Sequence, residues 1–454
     1  MIRRTLKEIQ EMTKGEVISP EHHAIIVEGV AKDTREDMSG KLYIPIIGEN
    51  FNGHQFVKQA IIEKGAVASL WQKDQPEPPA GVKLIFVEDT IVALQHLAGS
   101  YRDQIGMKVI GITGSNGKTT TKDMVTSLLQ TTFKVHKTAG NYNNHIGLPL
   151  TILSMEEDTE VAVLEMGMSG RGEIELLSQI AKPDAAIITN IGESHMQELG
   201  SREGIAEAKL EIAAGIKQGG KLIINGDEPL LRNKLSNIMC DVITFGLSDE
   251  NDYVAKDVLL KGNGTHFIIE ETAYMIPVLG THNVTNALAA IVVGDVFGVN
   301  QENRKKGLEK VTLTAMRNEI VEAKGGWTII NDAYNASPTS MRAAIDLLGS
   351  LTGFEKKIAV LGDMLELGDQ EKSYHQEVGK YIQEKNIDYV YTYGDLGNEI
   401  AKGAIEALGP LKVKAYMDKK ELINDLLGII QPNDVVVVKG SRGMKLEEVV
   451  QGIE

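Results

Sequence analysis

The chain holds a single cysteine, Cys240, in 454 residues. No internal disulfide can form, a multi-cysteine metal site is excluded, and a reducing compartment fits. Long apolar runs are missing too. The strongest, 287–293, stops at Gly294-Asp295, well short of the ~20 residues that span a bilayer. The basic start, Met1-Ile-Arg-Arg-Thr-Leu-Lys-Glu8, is not followed by the apolar stretch of a secretory leader. The reading is a soluble, cytoplasmic protein. Positive charge is in deficit: 47 Lys and Arg face 63 Asp and Glu, a net charge of −16. A nucleic-acid binder carries the opposite sign, because phosphate neutralisation dominates that affinity. Any anionic ligand must be held by a few local cations and backbone N–H donors. Repeats, low-complexity tracts and coiled-coil patterns are also lacking, and the expected state is a monomer.

What is present is ordinary for a globular protein, with 42% hydrophobic and 24% charged residues. At ~100–200 residues per domain, the length predicts two to four domains. Residues 1–105 read as a small α/β unit, with strands at 24–27, 41–46 and 84–87 and helices at 55–64 and 91–104. Residues 106–315 alternate strands (108–113, 161–165, 185–189, 221–225) with amphipathic helices, the rhythm of βαβ units and a parallel sheet. A β-rich insertion, 252–278, breaks that rhythm with a hairpin about Lys261-Gly-Asn-Gly264, and a long helix follows from about His282. Residues 316–454 carry strands at 327–331, 357–361, 388–393 and 434–438, each followed by a helix, as in a Rossmann-like doubly wound fold. The fold class is α/β in three domains.

The most informative segment is Lys108-Val-Ile-Gly-Ile-Thr-Gly-Ser-Asn-Gly-Lys-Thr-Thr120. An apolar strand runs into Gly114, Ser115, Asn116, Gly117, Lys118, Thr119 and Thr120, where a helix starts. Glycines let backbone N–H groups converge on phosphate oxygens, and the helix N-terminus adds positive field. Lys118 would reach the β- and γ-phosphates of ATP, and Thr119 would hold Mg²⁺. Ile112 stands where the general phosphate-loop pattern has its first glycine.

Other polar groups end neighbouring strands. Glu165 closes the buried run Val161-Ala-Val-Leu-Glu165, the place from which a carboxylate holds Mg²⁺ beside a phosphate loop. His195 ends Thr189-Asn-Ile-Gly-Glu-Ser-His195, either as a ligand group at the sheet edge or as a structural histidine. Lys209 reads equally as a solvated lysine or a phosphate contact. Asp332-Ala-Tyr-Asn335-Ala-Ser-Pro338, after Arg317, suits ribose or phosphate contact, or else an Asx turn and helix cap. Gly362-Asp-Met-Leu-Glu-Leu-Gly368 and Lys439-Gly-Ser-Arg442 end further strands of the same sheet, so the three predict a shared cleft.

Thr113-Gly-Ser-Asn-Gly-Lys-Thr-Thr120, Glu165, His195, Lys209 and His282-Asn-Val-Thr-Asn286 resemble, in order, the Mur ligases, the ATP-dependent peptide ligases of bacterial cell-wall precursor synthesis. The shortened phosphate loop belongs to that family. Asn141-Tyr-Asn-Asn-His-Ile-Gly-Leu-Pro149, Asp332–Pro338 and Gly362–Gly368 are similar to its branch that adds D-alanyl-D-alanine. The Asp-Asn-Pro-Arg run usual in the diaminopimelate-adding branch is absent. The resemblance implies a domain for a UDP-sugar, a central ATPase and a C-terminal Rossmann-like domain. It implies UDP-N-acetylmuramoyl-tripeptide and D-alanyl-D-alanine as substrates, with ATP and two Mg²⁺ ions as cofactors. Lys118, Lys209 and His195 would serve catalysis, and Thr119, Glu165 and His195 the metal. Asn283 and Asn286 would sit near adenine, Arg317 and Asp332 near ribose and phosphates. Thr34, Arg35, Gly53, His54, Asn143, Asn144 and Asn335 would face the substrates. Asn52 replaces the Asp of an Asp-Gly-His-x-Phe motif. Lys209 matches a lysine that relatives carbamylate. Another Mur ligase, a folate-type polyglutamate ligase and a switch-type ATPase are the competing readings.

Overall fold

Strands buried on both faces read as unbroken apolar runs, because helices cover each side of a parallel sheet. Lys108–Thr113 and Val161–Glu165 are such runs, and both lie inside the nine-stranded sheet that organises the middle of the molecule. The computed structural model describes residues 1–454 apart from 17, 18 and 263. Lys108–Thr113 pairs in parallel with Ala185–Ile188 on one side and Val161–Glu165 on the other. Three strand ends, Thr113, Glu165 and Ile188, therefore open on one edge, and the loops that carry the chemistry leave from there. Lys221–Asn225 and Asp241–Gly246 continue the parallel order.

Tyr253–Lys261, Gly264–Ile269 and Thr272–Ile276 form the expected antiparallel hairpins. They are not a separate insertion, because Phe245 and Gly246 pair with Tyr253 and Val254 and prolong the same sheet. Asn263, in the anticipated turn, lies outside the described residues. The long helix is Thr281–Val296.

The N-terminal unit holds a parallel sheet of four strands, Val30–Ala31, Leu42–Tyr43, Ala68–Gln72 and Leu84–Val87. Asp89 caps the helix Thr90–Ile105 by accepting from the Ile91 and Val92 amides, and Gly106 ends it in the left-handed region. That helix ties the unit to the centre: Tyr101 donates its hydroxyl to Met155 O at 2.9 Å. One apolar core runs from Ile2 and Leu97 through Leu148 to Leu164 and Ile224.

The third sheet orders Glu319–Glu322, Thr328–Asp332, Val435–Lys439, Lys357–Gly362, Tyr389–Tyr393 and Val413–Tyr416. The first strand is antiparallel and the rest are parallel. Val435–Lys439 lies between the strand Thr328–Asp332 and its successor, so the chain changes direction there and leaves a crevice at the carboxyl ends. Asp332 and Lys439 are register partners at that mouth.

Candidate active site

The phosphate loop is shaped by two glycines that nothing else could replace. At Gly114 φ is +147° and a Cβ would lie 1.8 Å from Thr189 Oγ1; at Gly117 φ is +80° and a Cβ would lie 2.5 Å from Asn286 Oδ1. Neighbouring strand ends pin the loop. Ser115 N donates to Asn190 O at 3.1 Å, and Asn116 N donates to Asn190 Oδ1 at 2.9 Å. The helix Lys118–Leu129 then begins, with Thr120 buried in its first turn. Lys118 Nζ folds back to Gly114 O at 2.8 Å. Burial lowers the Lys118 pKa, Glu165 opposes that, and the Arg317 charge adds to it.

Thr119 Oγ1 donates to Glu165 Oε2 at 2.9 Å, and Asn143 Nδ2 donates to Glu165 Oε1 at 2.9 Å. A buried carboxylate beside a hydroxyl, with no cation bonded to it among the described residues, is a donor set of hard oxygens that suits Mg²⁺ completed by phosphate and water. Among the described residues, no three His, Cys, Asp or Glu side chains converge as a ready-made metal cage. Ser115 Oγ, Asn116 Nδ2 and Arg317 Nε are buried without a hydrogen-bond partner among the described residues. Their donors suit the oxygens of a polyphosphate.

His195 has φ +65°, and its Nδ1 lies 3.0 Å from Glu366 Oε2 of the third domain. Burial, then the charges of Lys118 and Lys209, push its pKa down to about 4, so the ring is neutral at pH 7 and can offer a lone pair. Lys209 is 2% exposed, and no carboxylate pairs with it among the described residues. Burial first, and Lys118 second, drive its pKa far below the ordinary lysine value.

From the third domain, Arg317 lays its guanidinium over the Tyr334 ring at 4.2 Å. Lys439 pairs with Asp332 and donates to Asn335 O at 3.0 Å. Asn286 Nδ2 donates to Asn283 Oδ1 at 3.1 Å, while Thr121 Oγ1 donates to Asn286 Oδ1 at 3.2 Å, so the two asparagines brace the long helix against the phosphate-loop helix. These groups, the loop, Glu165 and Asn143 line one polar cleft of about 250 Å³ between the central and third domains. Lys439, Tyr334, Asn318 and Asn190 also belong to it: the first two and Asn190 stand in strand-end stretches that the sequence marks, whereas Asn318 carries no sequence signal.

The N-terminal residues lie elsewhere. Arg35 clamps Asp33, whose pKa those hydrogen bonds pull down to about 2. Thr34 and Arg35 stand between Lys32 and Glu36, which line a hollow of about 230 Å³ with Tyr142 and Leu150 of the central domain. Asn144 Oδ1 caps the helix Gly147–Leu153, accepting from Ile146 N and Gly147 N. His54 Nδ1 bonds Asn52 Oδ1 at 2.8 Å, and its Nε2 accepts from Gln72 N at 3.1 Å. As the ring stands, neither nitrogen is open to a ligand, and Asn52 serves as its anchor. Gly53 has no room for a Cβ, which would lie 2.7 Å from Ile46 N.

Residues 112–294 match the model of the Mur ligase middle domain, and 316–442 that of the Mur ligase, glutamate ligase domain. The UDP-N-acetylmuramoyl-tripeptide--D-alanyl-D-alanine ligase of Bacillus subtilis is 54% identical over 455 residues, covering 100% of this chain and 99% of the relative. That of Escherichia coli is 32% identical, covering 100% and 99%. Among solved structures, MurF from Acinetobacter baumannii superposes with a TM-score of 0.90 at 30% identity, over 100% and 99% of the two chains. MurF from Thermotoga maritima in complex with ADP gives 0.84 at 29% identity, over 94% and 97%. With a phosphate loop, a buried strand-end glutamate and a third-domain crevice meeting in one cleft, and with identity sustained from end to end, the chain belongs to the Mur ligase family.

Proposed function

We propose that this chain is an ATP-dependent ligase that joins D-alanyl-D-alanine to UDP-N-acetylmuramoyl-tripeptide, releasing ADP and phosphate, in peptidoglycan precursor synthesis. The observation that carries the reaction type is the cleft itself, where the phosphate loop and Glu165 face Arg317, Asp332 and Lys439 of another domain. The substrates come from the relatives' names, at 54% identity over the full length in one case. Domains at 1–105, 106–315 and 316–454 would take the UDP-sugar, ATP and the dipeptide-joining step. A monomer is expected, and one cysteine is in keeping with the cytoplasm.

A carboxylate is a poor acylating agent, so the tripeptide's terminal carboxylate attacks the γ-phosphate of ATP and becomes an acyl phosphate. The dipeptide amine then attacks the acyl carbon, and phosphate leaves. Two anions must approach each other in the first step. Lys118, released from Gly114 O by the nucleotide, and Arg317 offset that repulsion and stabilise the transferring charge. Mg²⁺, held by Thr119 and Glu165 with His195 nearby for a second ion, would add divalent counter-charge at the phosphates. Lys209, a buried amine whose pKa burial and Lys118 drive down, suits carbamylation, which would place an anion beside Lys118. The third domain over the phosphate loop keeps water from the acyl phosphate. Asn143 and Asn144, on the loop facing the N-terminal unit, suit the peptide of the UDP-sugar.

The test is phosphate release from ATP with Mg²⁺ and UDP-muramoyl tripeptide, with and without D-alanyl-D-alanine, alongside mass spectrometry. The expected result is release that needs both substrates and a product heavier by the dipeptide minus water. Release indifferent to both would sink the assignment and promote a switch-type ATPase.

A further inference from the structure

Two residues before His195 the same loop carries Glu193, a carboxylate only 6% exposed. Its Oε2 accepts from Thr339 N–H at 3.1 Å and from Thr339 Oγ1–H at 2.7 Å, across the boundary between the central and third domains. Thr339 is the second residue of the helix Pro338–Ser350. The first-turn donors of that helix are otherwise accounted for. Pro338 has none, Ser340 N donates to the Ser337 hydroxyl at 3.3 Å, and Met341 N donates to Ser337 O at 2.8 Å. The Thr339 amide is thus the helix-end donor left for another domain to satisfy, and a buried anion there also meets the positive end of the helix field.

The surroundings make this contact a junction rather than an isolated bond. Ser337 Oγ donates to Asn116 Oδ1 of the phosphate loop at 3.2 Å. At Gly192 a Cβ would meet Asn116 Nδ2 at 3.0 Å and Ser115 Cβ at 3.2 Å, so the Glu193 loop lies directly on the phosphate loop. Arg202 holds the loop from behind, donating to Ile191 O at 2.8 Å. Phosphate loop, His195 loop and third-domain helix meet at Glu193.

We propose that Glu193 is a positioning residue: its carboxylate latches the third domain onto the central domain, so that docking and the alignment of the phosphate and His195 loops are a single event. The inference rests on the ligase reading of the site. Arg317, Asp332 and Lys439 reach the cleft from the third-domain side, so a loosened latch withdraws them from the nucleotide together.

The test measures kcat and KM for ligation, and small-angle X-ray scattering of the full chain with Mg²⁺ and a non-hydrolysable ATP analogue. Glu193→Ala is expected to lower kcat/KM by about tenfold to a hundredfold, the loss of a charge-assisted pair of bonds, and to enlarge the radius of gyration. Glu193→Gln, which keeps an acceptor, falls between. Thr339→Val weakens the same step, and the double variant Glu193→Ala/Thr339→Val costs less than the sum. Wild-type kinetics and scattering in Glu193→Ala, or strictly additive losses, overturn the proposal. Should Glu193→Ala fail to fold, Glu193→Gln and Thr339→Val carry the same comparison. A wild-type chain that makes no ligated product defeats the ligase reading, while scattering still judges the latch.

Discussion

Lys209 pairs with no acid among the described residues, and burial and Lys118 both favour loss of its proton, which gives the form of an amine that reacts with carbon dioxide. Lys209→Arg stays charged and cannot form a carbamate. It is expected to lose at least about a hundredfold in kcat, the scale of one electrostatic group acting on a transition state. Labelled bicarbonate should give a carbamate carbon resonance in the wild type that the variant lacks; equal spectra would defeat the assignment. His195 offers a pH test. Its folded pKa of about 4 lies below the ordinary 6.5, so the unfolded chain binds the proton first as pH falls. Stability from this residue is therefore whole above pH 6.5 and is lost progressively down to about 4. Melting temperature in His195→Gln should fall less steeply over that window than in the wild type. That Lys118, Thr119 and Glu165 meet was legible because a glycine turn between a strand and a helix allows few alternatives. The hydrogen-bonded setting of His54 was not, since a motif does not reveal that Asn52 and Gln72 occupy both ring nitrogens.

Among the elements, strands buried on both faces were the easiest to read, and Val161–Glu165 and Lys221–Asn225 match their expected spans. Short or mixed strands escaped: Ala68–Gln72 begins in small residues, and Glu319–Glu322 is an edge strand with acids at both ends. The junction at Glu193 was illegible for a different reason, because its two halves are 146 residues apart. The linker into the third domain shows how one element steers another. Asp123, on the phosphate-loop helix, accepts from Thr314 N and Thr314 Oγ1, both at 2.8 Å, and from Lys137 Nζ at 2.7 Å. Three residues on, Arg317 enters the cleft between Met316 and Asn318, both in the left-handed region. Asp123→Ala strands the buried Lys122 and frees the linker. A cost of about 3–5 kcal/mol is expected, the range for breaking a buried charge pair, with weaker ATP binding because Arg317 loses its mooring. Urea unfolding and nucleotide titration would check both, and an unchanged midpoint would count against the bolt.

At the scale of the whole molecule, the cores divide differently from the sheets. The N-terminal sheet and the central sheet share one apolar cluster, in which Leu42 and Ile85 belong with Leu148 and Ile188. The third domain has its own clusters, to which the central domain adds Leu279 and, at the margin, Leu260. Cooperative unfolding follows shared apolar contact, so three sheets should melt as two units. Calorimetry of the full chain without ligand is expected to resolve two transitions. Residues 316–454 alone should reproduce one of them, whereas residues 1–105 alone should show none, because Leu97 and Tyr101 would lose the central helix they pack against. ADP with Mg²⁺, seated as proposed in the cleft lined by the central and third domains, would touch both and so would bind only when both are folded and docked. By mass action it should raise the lower transition more than the upper and draw the two together. A single ligand-free transition, or a folded 1–105 fragment, would mean that the Leu279 contact or the N-terminal sheet contributes more cohesion than its buried surface implies.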